Sequence, residues 1–170
     1  MKENTILDVL EFDPSSGSLK YKGIRYLLIR PETLTGFQKA VEAVSGNTSG
    51  DFLYQGGFQG GYLSSKKYAE VFGFSDRETI EFMMTMGKEI GWGVFELKHY
   101  DLPGKQLKIT VRNSVFAEAY GPSKLGVCHL IRGVMAGMAS ILFNAQCRAA
   151  ETTCISKGDE YCTFIVNGEK

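Results

Sequence analysis

Cys154 and Cys162 flank the segment Ser156-Lys157-Gly158-Asp159, a composition that turns a chain back on itself. Pairing of the two flanking strands would bring both sulfurs to the same end of a hairpin. Glu151 lies three residues before Cys154, which in a regular strand sets it on the opposite face. A bulge, a bend or the strand end must therefore intervene if both are to reach one ion. Cys128, near the start of an apolar helical segment, completes a set of three thiolates and one carboxylate. Such a set suits zinc: thiolates are its soft ligands, a carboxylate serves as the fourth, and tetrahedral closure carries no electronic penalty. Four protein ligands leave no open position for water. The site would then be structural, tying the helix to the hairpin rather than activating a nucleophile. The spacing is not that of paired CxxC motifs, and buried, inert thiols remain the alternative at this point.

A second group of residues has the chemistry of a pocket rather than of a reaction. Tyr54, Phe58 and Tyr62 recur every four residues, and Gly56, Gly57, Gly60 and Gly61 are interleaved with them. Glycine costs about 1 kcal/mol against alanine inside a helix, so four of them need a compensating reason. Close packing of another helix is the plainer one, and close approach of a ligand is the other. Phe58 and Tyr62, Met83 and Met86 from the next helix, and Trp92 at the following strand are the candidate ligand-binding residues. Aromatic rings offer rigid contact area and methionines adapt to the shape of a guest, although each residue taken singly is equally at home in an ordinary core. His99 has polar neighbours and reads as a solvated strand residue; His129 beside Cys128 reads as exposed or as a neighbour of the metal site.

These residues need elements to hold them. Residues 10–26 surround Asp13-Pro14-Ser15-Ser16-Gly17 and predict a hairpin, with strand character continuing to Ile29. Pro31 is placed for the first turn of a helix whose apolar residues Leu34, Phe37, Val41 and Val44 recur until Gly46. The aromatic and glycine pattern over 51–72 predicts another. Ser75-Asp76-Arg77-Glu78 is a capping box that opens a helix to about Gly91, with Ile80, Met83, Met84 and Ile90 inward. Strands are expected over 92–100 and 107–112 around the turn Leu102-Pro103-Gly104-Lys105. A long helix is expected after Gly121-Pro122-Ser123, running to about Asn144 with Cys128 near its start, and then the cysteine-bearing hairpin over 146–155 and 161–166. No repeat or long linker divides the 170 residues, which read as one α+β domain over 1–170, with 1–25 as an N-terminal hairpin or extension.

Composition narrows the function. Acidic and basic residues are equal at 19 each, so no general field favours nucleic acid or an anionic membrane. The most apolar stretch, 127–143, is interrupted by His129 and Arg132 and does not make a bilayer span. The N-terminus lacks the pattern of a secretory signal, and cytoplasmic residence is the expectation. In that setting four cysteines are thiols, metal ligands or redox groups rather than a disulfide framework. Cys147 is expected to be a partly buried free thiol.

The stretch Val127-Cys128 through Gly133, then Ala136-Gly137, Glu151-Thr152-Thr153-Cys154 and Gly158-Asp159-Glu160-Tyr161-Cys162-Thr163-Phe164 resembles the C-terminal signature of the 4-vinyl reductase domain family. Leu53 through Gly60 is similar to its N-terminal half, and the likeness runs from about Tyr26 onward. The resemblance implies a twisted antiparallel sheet with packed helices, the architecture shared with haem-based nitric oxide sensors and Golgi-transport (TRAPP) subunits, and frequent dimerisation. It implies a zinc ion held by Cys128, Glu151, Cys154 and Cys162, as in the related sensor domains of phenol-responsive activators. A small apolar or aromatic ligand and a homodimer are the partners to expect.

Two other functions compete. The family's name derives from tetrapyrrole reduction, so an enzyme or accessory protein acting on a tetrapyrrole-like substrate is one. Yet the glycines at 56–61 lie within an aromatic helix rather than between a strand and a helix start, and no nucleophile with an adjacent base stands out. A TRAPP-like interaction module is the other.

Overall fold

The computed structural model describes residues 4–169. It begins with helix α1 (Thr5–Val9), whose first N–H groups donate to the Asn4 side chain. Strands β1 (Glu11–Asp13), β2 (Ser18–Tyr21) and β3 (Ile24–Tyr26) follow as an antiparallel meander. The first turn is fixed by Asp13, whose carboxylate accepts from the Ser15 and Ser16 hydroxyls and the Ser15 N–H, bonds that hold its pKa down to about 2. The expected hairpin thus gains a third strand, and that strand stops at Tyr26 instead of continuing to Ile29. Residues 27–30 run on unpaired to Pro31.

Helix α2 (Pro31–Ser45) leads through a short 3-10 turn into α3 (Ser49–Phe72), which ends on Gly73 in the left-handed conformation. The capping box at Ser75 and Glu78 opens α4 (Asp76–Glu89). Ile90 falls at the end of that helix and is 39% exposed, so the inward position expected for it is corrected: the helix stops before its face comes round again. Strands β4 (Val94–Asp101) and β5 (Gln106–Arg112) form the expected hairpin, and helix α5 (Val115–Tyr120), which the sequence pattern did not suggest, follows. Helix α6 (His129–Leu142) starts later than expected. Residues before it cannot join it, because the Ser123 N–H donates to the Ser156 carbonyl and Gly126 packs against the Glu151 carboxylate. The chain closes with β6 (Cys147–Thr153) and β7 (Cys162–Gly168), joined by a 3-10 turn.

The last four strands make one antiparallel sheet in the order β4-β5-β7-β6, so the architecture is the α+β one expected. Leu107, Ile109 and Val111 alternate inward on β5 and meet Phe164 and Val166 of β7 in the core beneath Ile131, Met135, Met138 and Leu142 of α6. Helix α6 thus lies between the sheet on one side and α3 on the other. The N-terminal part docks elsewhere: Asn4, Thr5 and Ile6 bond to Glu89, and Ile6 packs with Tyr68 and Met86.

The crossing of α3 and α6 explains the four-residue glycine pattern. A Cβ at Gly57 would overlap the Leu130 carbonyl and one at Gly61 the Val134 carbonyl; from the other side, Gly133 abuts the Tyr54 carbonyl and Gly137 that of Phe58. Backbone meets backbone, and neither partner has a flexible end that can yield. Gly56, by contrast, has nothing within 4 Å of where its Cβ would be. Gly137→Ala should therefore destabilise by about 1–3 kcal/mol or more through overpacking, while Gly56→Ala should stabilise by up to about 1 kcal/mol through helix propensity. Urea-unfolding midpoints of the two variants check both signs.

Candidate functional site

Cys128, Glu151, Cys154 and Cys162 come together where the N-terminus of α6 meets the β6–β7 hairpin, with one ligand atom from each lying within 4.8 Å of all the others. Cys128 is the residue capping α6, turned out of helical geometry at φ −82 and ψ 46. Cys154 follows β6 and Cys162 opens β7. The parity problem at Glu151 is solved by a register irregularity between Glu151 and Thr153, which lets a residue three before Cys154 face the same point.

The distances fit a tetrahedral metal site. The Cys128 and Cys162 sulfurs are 3.7 Å apart, and those of Cys162 and Cys154 3.9 Å. A tetrahedron with metal–sulfur bonds of about 2.3 Å has edges of about 3.8 Å. Glu151 spends one oxygen, Oε2, on the Cys128 N–H at 3.0 Å. Its other oxygen, Oε1, is buried with no hydrogen-bond partner among the described residues, and an unsatisfied buried carboxylate oxygen is costly. The Ile155 N–H points at the Cys162 sulfur at 3.4 Å and the Ser114 hydroxyl lies 3.5 Å from the Cys128 sulfur, as partners for thiolates.

Charge in the cluster is strained in the same sense. Cys128 is pushed far above the ordinary thiol range, first by the Cys154 and Cys162 sulfurs and then by burial. Cys154 is pulled far below it by bonds from those same two groups. At Cys162 the bond from Cys128 pulls down, but Cys154 and burial outweigh it and leave the thiol at about 12. Burial, then Cys154, raises Glu151 to about 7. Four acidic groups thus share little negative charge on their own, and a bound cation would take the place of the protons.

A second feature lies on the far side of α6: a cavity of about 410 Å³ bounded by the residues 26–29, α3, α4, the start of β4 and α6. Its walls are methionine-rich, with Met83, Met84 and Met86 from α4 facing Met135 and Met138 from α6, and Trp92 and Phe95 closing one end. Trp92 is held edge-on against Phe116 with ring centroids 5.1 Å apart. No charged side chain lines this space; its polar groups are Tyr26, Ser64 and Tyr68. A larger groove of about 640 Å³ lies along α3 and β6, but it is open and polar, lined by Asp51, Arg132 and Arg148 among others, with the Arg132 guanidinium 5.0 Å above the Tyr54 ring.

Of the five residues proposed from sequence for a ligand, Met83, Met86 and Trp92 line the apolar cavity. Phe58 faces the polar groove instead, and Tyr62, 36% exposed, stacks on Phe58 with centroids 6.2 Å apart. The aromatic stripe flanks the glycine crossing on the side away from the cavity. Tyr26, Tyr68, Met135 and Met138 were missed. Gly60, Ser64 and Tyr68 share a four-residue period on α3, a signal overshadowed by the denser aromatic one. Cys147 stands apart from the cluster, with its thiol near the Ala145 carbonyl and its N–H donating to Ser140. His99 is exposed as expected, whereas the Nδ1 of His129 is buried and has no partner among the described residues.

With this geometry in hand, comparison with known proteins is informative. Residues 107–167, the segment that includes all four cluster residues, match the vinyl-4-reductase domain, in agreement with the resemblance to the 4-vinyl reductase family. A stretch of 43 residues is 42% identical to an uncharacterized protein, MJ0150, of Methanocaldococcus jannaschii, covering 25% of this chain and 25% of that protein; the match spans a quarter of the relative's length. In fold, the chain is similar to the phenol-responsive sensory domain of the transcription activator PoxR with phenol (TM-score 0.83, 16% identity, 96% of this chain and 87% of that one). It is similar as well to a vinyl-4-reductase family protein of Methanocaldococcus jannaschii (0.60, 19%, 85% and 85%). A trafficking protein particle complex subunit 3 of Naegleria fowleri, covalently bound to palmitic acid, has a related fold (0.58, 13%, 82% and 95%).

Proposed function

We propose that this chain, which carries the vinyl-4-reductase domain match, is a zinc-stabilised, sensor-like module that binds a small apolar or aromatic molecule in the methionine-lined cavity. The observation that carries the reading is the cavity itself. At about 410 Å³ it falls in the range of small-molecule sites, and its walls are apolar with a few convergent polar groups. The fold shared with a sensory domain solved with phenol supports an aromatic guest. The fold shared with a subunit carrying palmitic acid supports an acyl chain as the second reading. A tetrapyrrole is less suited, since no cationic side chain lines the cavity to pair with its carboxylates.

Cys128, Glu151, Cys154 and Cys162 would hold one zinc ion, which supplies a closed structural cross-link when bound. Three sulfurs at tetrahedral spacing select a thiophilic ion, and an orphaned carboxylate oxygen offers the fourth bond. The chain's own part is to anchor the N-terminus of α6 to the β6–β7 hairpin, and so to fix the helix that walls the cavity. Free cysteines throughout fit a cytoplasmic setting, and among the described residues no helix is long and apolar enough to cross a membrane. A homodimer is part of the same reading, because Leu28, Phe37, Val44, Phe52 and Leu63 are all at least 58% exposed; a monomer mass by light scattering at high micromolar concentration would remove that part.

Purified protein should contain about one zinc per chain. Cys154→Ser and Cys162→Ser should lose both zinc and thermal stability, because closed thiolate sites couple metal binding to folding; Cys147→Ser should lose neither. Equal zinc loss from all the single cysteine variants would defeat the ligand assignment. For the ligand, Trp92 is the sole tryptophan and lines the cavity. Phenol or indole should change its emission and raise the melting temperature; at a hundredfold excess over Kd the expected stabilisation is about 2.7 kcal/mol. If aromatics and medium-chain acyl compounds all leave both signals unchanged in zinc-loaded protein, an interaction module is the better reading.

A further inference from the structure

The cavity is apolar with one exception, and that exception has a definite hydrogen-bonding capacity. The Tyr26 and Tyr68 hydroxyls lie 2.7 Å apart, and both residues line the cavity beside Ser64. Tyr68 is only 4% exposed. Two phenols bring two O–H protons, and their mutual bond uses one. The pair therefore keeps one proton to donate and lone pairs to accept with, in a space where no other side chain is charged. Burial raises both phenols above their ordinary range, so neither becomes an anion under physiological conditions and the donor stays available.

We propose that Tyr26 and Tyr68 are the specificity-determining groups of the cavity, selecting neutral guests that carry one hydrogen-bonding oxygen. This rests on the cavity being a small-molecule site. A guest hydroxyl or carbonyl oxygen completes the pair's hydrogen bonding. A plain hydrocarbon fills the same volume but leaves the spare phenol proton without a partner. A carboxylate is penalised more heavily, because its charge leaves water without meeting a cation. The two tyrosines belong to different elements: Tyr26 ends β3 in the N-terminal meander, and Tyr68 sits on α3. A guest held by the pair thus touches both elements at the place where residues 27 and 29 cover the cavity.

The test uses three probes of one shape, 4-methylphenol, toluene and 4-methylbenzoate, titrated against the full chain and its Tyr68→Phe and Tyr26→Phe variants with Trp92 emission as the readout. The unaltered protein should prefer 4-methylphenol to toluene by roughly tenfold, the worth of one buried hydrogen bond, and bind 4-methylbenzoate most weakly. Both variants keep the ring, and melting curves check that they fold. Each should bring the phenol-to-toluene ratio close to one while leaving toluene affinity as it was. The proposal is overturned if the ratio survives in both variants, or if 4-methylbenzoate binds as tightly as 4-methylphenol. Those results leave the cavity a binding site with a different anchor. If the unaltered protein binds none of the three, the small-molecule reading itself fails and this assignment falls with it.

Discussion

The backbone contact between α3 and α6 is the constraint from which the other features follow. Glycines at 57 and 61 on one helix and at 133 and 137 on the other let the two main chains touch. This fixes both the separation and the register of the crossing, since a one-residue slip would drive a side chain into a carbonyl. With α6 held against α3 on one face and against β5 and β7 on the other, two consequences arise at once. Cys128, at the start of α6, is delivered to the hairpin that carries Glu151, Cys154 and Cys162. The other flank of the same helix, with Leu130, Val134, Met135 and Met138, becomes the wall of the apolar cavity.

The thiolate cluster supplies the stiffness that the crossing does not. Helix α6 has no side-chain cap, and the segment before it is irregular, so the helix's N-terminal end depends on what Cys128 is attached to. Without an ion the cluster is an unfavourable gathering of acidic groups with an orphaned carboxylate oxygen. With one, the same gathering is a closed cross-link between helix and sheet. Metal and cavity are thus mechanically joined through α6 although they lie on different sides of it. The softer side of the cavity is the opposite one, where an unpaired strap at 27–30 and flexible methionines can adjust to a guest.

Much of this was legible in the sequence because its signals are local. Cysteines about a turn, a capping box at Ser75 and Glu78, and a glycine repeat each report a nearby constraint, and the plainer reading of the glycines, close helix packing, is the one the structure has. The starting point of α6 was less accessible. Gly121, Pro122 and Ser123 look like a helix boundary, but the Ser123 N–H and Gly126 are engaged by the distant residues Ser156 and Glu151. The cavity was half legible. Met83, Met86 and Trp92 line it, while Phe58 and Tyr62 carry the period of α3 on a different face, separated from the cavity by the glycine row. Tyr26 could be found only through tertiary structure, because its partner Tyr68 lies 42 positions away.

The account centres on an apolar guest sitting between α4 and α6, and the methionines there provide a direct observable. Of the chain's 6 methionines, Met83, Met84, Met86, Met135 and Met138 all line the cavity, so their methyl groups report from every wall. Titration of methyl-13C-methionine protein with 4-methylphenol, followed by proton–carbon correlation NMR, should shift resonances from both helices together and saturably, through the ring current of the bound aromatic. Methyl resonances from α4 and α6 that stay fixed while Trp92 emission changes would place the aromatic outside the cavity and contradict the account.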